Sequence, residues 1–186
     1  MRAAYPSTTG RIRTTLVYSF VALVVGLTAL VCLGTKPAQS LQVSAPAPYK
    51  VQDLGTFAGG SLSQAESVNK ANEVVGGSST SDGFGGAFLY SGGQMKDLGT
   101  LGGTDCGAND INKDGMVVGS SAVSGYDYHA FLYVNGHMTD LNGLIPANSG
   151  WTLLGAEAIN DQGSIVGYGY NANGDQHAFL LAPQKP

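Results

Sequence analysis

The chain repeats itself, and the period fixes what it can fold into. Asp97-Leu98-Gly99-Thr100-Leu101-Gly102-Gly103 matches Asp53-Leu54-Gly55-Thr56-Phe57-Ala58-Gly59-Gly60, 44 positions earlier, and Asp140-Leu141-Asn142-Gly143, 43 positions later. A fixed period of this size marks a repeat architecture, in which one small unit buries its apolar face only when a neighbour stacks on it. Three further boxes recur in step. The second is Ala65-Glu66-Ser67-Val68-Asn69, Ala108-Asn109-Asp110-Ile111-Asn112 and Ala156-Glu157-Ala158-Ile159-Asn160. The third is Val74-Val75-Gly76, Val117-Val118-Gly119 and Ile165-Val166-Gly167. The fourth is Ala87-Phe88-Leu89-Tyr90, Ala130-Phe131-Leu132-Tyr133 and Ala178-Phe179-Leu180-Leu181.

Each box is short, β-branched or aromatic, and bounded by Gly, Asn, Asp or Ser, which reads as a strand. The turns are more specific still. Asn69, Asn112 and Asn160 open four-residue turns closed by Asn72, Gly115 and Gly163. Asn starts such a turn by bonding the backbone ahead of it, and Gly or Asn tolerates the left-handed position that completes it. Boxes two and three therefore form a tight hairpin. Gly92-Gly93 and Asn135-Gly136 suit a type I′ turn, which pairs box four with the Asp-Leu-Gly strand that follows. The expected fold is all-β, with three four-stranded antiparallel repeats in a propeller-like ring closed by the N-terminal strand, residues 49–54. Alternatives are a β-trefoil-like fold, an open repeat stack, and two chains joining in a six-sheet ring.

Residues 1–40 stand apart. Arg2, Arg11 and Arg13 precede an uncharged apolar run from Leu16 to Gly34, and Lys36-Pro37 then Ala38-Gln39-Ser40 end it. A basic start, an apolar run and small residues before a cut describe a secretory signal; a run this long also suits a retained N-terminal anchor. Residues 41–48 read as a linker, 49–183 as the β-repeat domain (repeats about 49–96, 97–139 and 140–183), and 184–186 as a tail. Both readings of the leader place the domain outside the cytoplasm, secreted, periplasmic or at the cell surface. The membrane is reached only through residues 16–34 if the leader stays. From Leu41 onward there are five lysines, no arginine and thirteen acids, a balance that excludes nucleic acid as a partner. Only Cys106 remains there, so no disulfide within the domain staples the fold.

The boxes Asp-Leu-Gly-Thr-Leu-Gly-Gly, Ile-Asn, Val-Val-Gly and the triplets His129-Ala130-Phe131 and His177-Ala178-Phe179 resemble the HAF-type extracellular repeat family, across roughly residues 49–183. The first copy departs from the triplet with Gly86-Ala87-Phe88, and the third replaces Leu-Gly-Thr by Leu141-Asn142-Gly143. The resemblance implies an exported bacterial repeat protein, propeller-like, with no established activity and no site residues to carry over.

Chemistry is sparse. Asp110-Ile111-Asn112-Lys113-Asp114-Gly115 matches the opening of a calcium loop, but position twelve is Ser121 where a bidentate Glu is needed, so a plain turn is expected and no metal. His129 and His177 occupy equivalent places without supporting ligands, and His137 sits beside a hairpin turn. Asp53, Asp97 and Asp140 recur; each is expected to accept backbone N–H groups in its glycine-rich crossover. The rival reading makes them acid and base of a hydrolase of an extracellular polymer, which requires two of them in one pocket. No nucleophile, zinc or phosphate-loop motif occurs, and neither catalysis nor a cofactor is expected.

The stretch between boxes three and four is the better candidate. Gly76 to Phe88, Gly119 to Phe131 and Gly167 to Phe179 each span 12 positions, yet their contents differ. Constant length with free content suggests loops on a rigid scaffold, where binding surfaces are built. Phe84, Tyr126, Tyr128, Tyr168 and Tyr170 lie in them, and Trp151 lies in an insertion of the third copy. Tyrosine offers rigid area with a polar edge, suited to a glycan or an extracellular protein. The recurring Asp, the asparagines, the box-three glycines and Phe88, Phe131 and Phe179 are expected to be structural.

Overall fold

A computed structural model describes residues 47–83, 85–124 and 127–184, so the expectations for residues 1–40, and for most of the linker, lie outside the described residues. The first sheet is a meander of β1 (Ser63–Val68), β2 (Val74–Ser79), β3 (Gly85–Ser91) and β4 (Gln94–Asp97). The second repeats it with β5 (Cys106–Ile111), β6 (Val117–Ser124), β7 (Asp127–Val134) and β8 (His137–Asp140). The third holds β9 (Thr152–Ile159), β10 (Ile165–Tyr170) and β11 (Gln176–Leu181). Neighbours within each sheet pair antiparallel, and the sheets are offset from the sequence repeat because each of the first two takes its last strand from the Asp-Leu-Gly box of the next copy.

The turns supply the register. Asn69 Oδ1 accepts the N–H groups of Ala71 and Glu73, Asn112 Oδ1 those of Asp114 and Met116, and Asn160 Oδ1 those of Gln162 and Ser164. Asn72, Gly115 and Gly163 close these turns at φ of 60°, 76° and 80°. Gly92-Gly93 and Asn135-Gly136 take positive φ at both positions, as type I′ geometry requires. Opposite each Asn hairpin the inner strand carries a bulge, at Glu66, Asn109 and Glu157. The bulge brings a carbonyl across the facing glycine. A Cβ on Gly76, Gly119 or Gly167 would run into the carbonyl oxygen of Gln64, Gly107 or Gly155, which is why box three ends in Gly every time.

Two cores lie between successive sheets. The first is built from Val75, Ala87 and Leu98 against Cys106, Ala108, Ile111, Val117, Phe131 and Tyr133. The second sets Val118, Ala130 and Leu141 against Leu153, Ala156, Ile159, Ile165 and Phe179. Side chains also tie sheet to sheet. Asn69 Nδ2 donates to Asn112 O at 3.1 Å, and Asn112 Nδ2 to Asn160 O at 3.2 Å. Asp110 accepts from Ser67 Oγ of the first sheet at 2.6 Å and from Ile159 N of the third at 2.8 Å.

Among the described residues the expected ring does not close, and no closed barrel of the β-trefoil kind forms. Residues 49–54 form no strand and do not add to β11; Tyr49 and Val51 are fully exposed. The reason is local. Phe57 N donates to Ser78 Oγ, Gln52 Nε2 to Tyr90 Oη, and the Phe57 ring lies over Gly86, so this segment is held on the first sheet. Among the described residues the third sheet is left with three strands and an open β11 edge.

Candidate functional site

Residues expected on loops turn out to stand mostly on strands. Antiparallel pairing continues past the box-three glycines, to Ala122 opposite Tyr128 and to Tyr170 opposite Gln176. Among the described residues the stretches outside strands shrink to 80–83 and 171–175. The last is a further Asn turn: Asn171 Oδ1 accepts the N–H groups of Asn173 and Asp175, and Gly174 has φ of 82°. The Asn-x-x-Gly spacing that marked the other hairpins was present here too.

Tyr128, Tyr168 and Tyr170 come together in one groove of about 730 Å³ between the second and third sheets. Asp127, His129 and Ser120 contribute polar groups on the second-sheet side, and Thr152 and Leu154 line the β9 side. Tyr168 lies across the Gly155 backbone, where a side chain of any size would collide with its ring. Tyr168 and Tyr170 keep 36% and 45% of their surface exposed, enough to receive a ligand face. Tyr128 donates its hydroxyl to the Asp105 carboxylate, and that bond pushes its pKa up to about 12. The ring is thereby fixed in place and stays protonated over the working pH range. Asp105, Asp127, Thr152 and Leu154 were not expected at a site, since nothing in their spacing distinguishes them. Phe84 and Tyr126 lie outside the described residues. Trp151 is not in the groove; it packs on the second core beside Ile145 and Leu181.

The recurring carboxylates are occupied by their own turns. Asp53 Oδ1 accepts from Gly55 N at 2.9 Å, Asp97 Oδ1 from Gly99 N at 2.8 Å and Asp140 Oδ1 from Asn142 N at 2.8 Å. None of the three lines the groove. Asp140 also holds His129 Nδ1 at 2.6 Å. Partial burial pushes the Asp140 carboxyl up, but the bonds from His129 and Asn142 outweigh it and hold its pKa below the ordinary value. His177 Nδ1 meets Asn171 Nδ2 at 3.3 Å, so the two triplet histidines serve different local partners. His137 is exposed. In the calcium-like segment, Asn112 Oδ1 is engaged by the turn, Asp110 by its neighbours and Asp114 by Lys113 Nζ. Among the described residues no group of three potential metal ligands occurs. Cys106 is buried, and burial, opposed only in part by a hydrogen bond with Ser121, pushes its thiol up to about 12.

Compared with protein-family models, curated proteins and solved structures, the chain matches none of them. The likeness to the HAF-type repeat rests on the sequence boxes alone.

Proposed function

We propose that this chain is an exported, non-catalytic binding module of the bacterial cell exterior, and that its propeller-like series of sheets presents the Tyr128–Tyr168–Tyr170 groove to a glycan. The observation that carries the reading is the convergence of these three rings with Asp127, His129 and Ser120 in one open groove. Sugar rings present apolar C–H faces and polar rims. Flat aromatic faces receive the first, and nearby carboxylate, imidazole and hydroxyl groups satisfy the second. The leader, the acidic domain without arginine and the repeat boxes support a place outside the cytoplasm.

The test is a panel of soluble bacterial and plant polysaccharides, read by affinity electrophoresis and by shift of thermal unfolding. At least one should bind the wild-type chain. Tyr128→Ala with Tyr170→Ala should weaken that binding at least about tenfold, the loss of about 1.4 kcal/mol expected from removing aromatic contact, with melting unchanged within about 2 °C. No binding across the panel, or equal binding by the double variant, refutes the glycan reading.

A further inference from the structure

The two ends of the sheet series are the unmatched halves of a junction that the chain already makes twice. On the face of each sheet that meets the next one, Val75 and Val118 are 0% exposed, whereas the equivalent Val166 is 42% exposed. Ala87 and Ala130 are likewise sealed while Ala178 is open, and Leu180 is 66% exposed where Leu89 and Leu132 pack on the cores. On the opposite face, Ile111 and Ile159 are 4% and 6% exposed, but the equivalent Val68 is 61% exposed. Ala65, matching the sealed Ala108 and Ala156, is open as well. Every residue type needed to bury these surfaces against each other is thus present, at opposite ends of one molecule.

The backbone shows the same complementarity. β4 and β8 close their sheets with Asp97 opposite Phe88 and Asp140 opposite Phe131. The matching segment for the third sheet is residues 50–53, ending in Asp53, which would stand opposite Phe179. That segment already holds the position of a fourth strand relative to the sheet that follows it. Gln52 Nε2 bonds Tyr90 Oη at 2.9 Å just as Lys96 Nζ, on β4, bonds Tyr133 Oη at 3.0 Å. The Asn69-to-Asn112-to-Asn160 series of hydrogen bonds likewise ends at Asn160, with Asn69 O as the equivalent next acceptor.

We infer that a second copy of this chain docks head to tail on the third sheet, its β1 covering Val166, Ala178 and Leu180 and its residues 50–53 pairing along β11. Because the contact joins unlike surfaces, it propagates until the rotation closes. Two copies of three sheets give a ring of six, within the usual four to eight of propeller rings, with the open β11 edge, of the kind that invites aggregation, now paired. Tyr168 and Tyr170 share the face of Val166 on β10. Of their equivalents, Gly77, Ser79 and Ser120 remain half-buried at the internal junctions while Ala122 is sealed, so the docked copy borders the tyrosine groove.

Light scattering on the full chain and on residues 47–186, which contain every described strand and both cores, tests the inference. Both should be dimers at micromolar concentration. Val166→Asp with Leu180→Asp, altering one end, and Val68→Asp with Val51→Asp, altering the other, should each weaken dimerisation at least about 100-fold, or about 2.7 kcal/mol. Mixing the two variants should restore a weaker dimer, because one of the two junctions is then intact. Circular dichroism controls for folding, and Val166→Ser with Leu180→Ser and Val68→Ser with Val51→Ser replace any variant that loses β structure. A wild-type monomer, open polymers, a dimer sensitive to one end only, or a full chain that stays monomeric while 47–186 dimerises would overturn it. Glycan binding by the monomeric variants separates this inference from the functional reading.

Discussion

Gly119→Ala is the sharpest test of how the repeat is built. The glycine sits on β6 opposite the bulge of β5, and its φ lies outside the left-handed region, so alanine costs nothing conformationally. The cost is space. The new Cβ would overlap Gly107 O, stand 2.9 Å from the fully buried Phe131 ring and 3.0 Å from Ala108 Cα. Two of these obstacles are backbone, so β5 must move away from β6 for the methyl to fit. Overpacking in a core costs about 1–3 kcal/mol, and loosening one or two ladder hydrogen bonds adds about 1 kcal/mol each. A loss near 3 kcal/mol lowers the melting temperature of a domain this size by about 10 °C, at about 2–4 °C per kcal/mol. Gly107→Ala is the control. It lies on the facing strand, its ideal Cβ has no atom within 4 Å, and its φ is also ordinary. Alanine there reduces the freedom of the unfolded chain and should raise stability by about 0.4–1 kcal/mol. Calorimetric melting of both variants decides the matter. A Gly119→Ala protein melting within 2–3 °C of wild type, or a Gly107→Ala protein falling as far as its partner, would refute the steric account of the Val-Val-Gly box.

Two further expectations follow from the titratable groups. Asp140 has a depressed pKa in the fold, so its stabilising contribution is present above the unfolded value near 3.8 and is lost as pH falls through the folded one; the acid limb of a melting-temperature profile below about pH 4 should be flatter in Asp140→Asn, and parallel limbs would count against the His129 and Asn142 bonds as its cause. Cys106 should resist a thiol reagent at pH 8 in the native protein and react only on unfolding, because it is buried with its pKa pushed up to about 12; prompt labelling of the native chain would contradict that burial.

Much of the fold was legible because its determinants are local. An Asn that bonds two N–H groups ahead of it, with a Gly at the left-handed position, fixes hairpin register without reference to the rest of the chain, and Asn-Gly or Gly-Gly fixes the next hairpin in the same way. Ring closure was not legible, because it depends on where residues 49–54 end up. Repeat symmetry makes that segment an ideal fourth strand, but it does not say to which sheet, or to which molecule, the strand belongs. Loop length was misjudged for a similar reason. Variable composition between Gly119 and Phe131 looked like loop, yet the pairing of Ser120 with Ala130 and Ala122 with Tyr128 needs only backbone groups and tolerates any side chain. The tyrosines were identifiable by type, and their convergence came from strand register across two sheets, which no single box encodes.

Positions where the copies break their own pattern are compensated nearby, which separates structural drift from the surface on which a ligand is recognised. The first copy has Gly86 where the others have His129 and His177, and the same copy has Phe57 where the second has Leu101. The two departures share one space: the Phe57 ring occupies the position into which a Cβ on Gly86 would project. The third copy has Tyr168 where the second has Ser120, and the Tyr168 ring lies over Gly155, whose counterpart Gly107 has open space above it. Here the compensation runs the other way. Gly107 and Gly155 are both glycine, so the backbone was already clear, and the tyrosine filled the space without a matching change on the facing strand. A substitution forced by packing brings its partner with it, as Phe57 and Gly86 do. A large aromatic residue placed on a bare backbone, still 36% exposed and beside two further tyrosines, has no such structural obligation to meet. That asymmetry directs the search for function to the groove and away from the recurring Asp-Leu-Gly boxes, where each Asp Oδ1 is already engaged by its own turn.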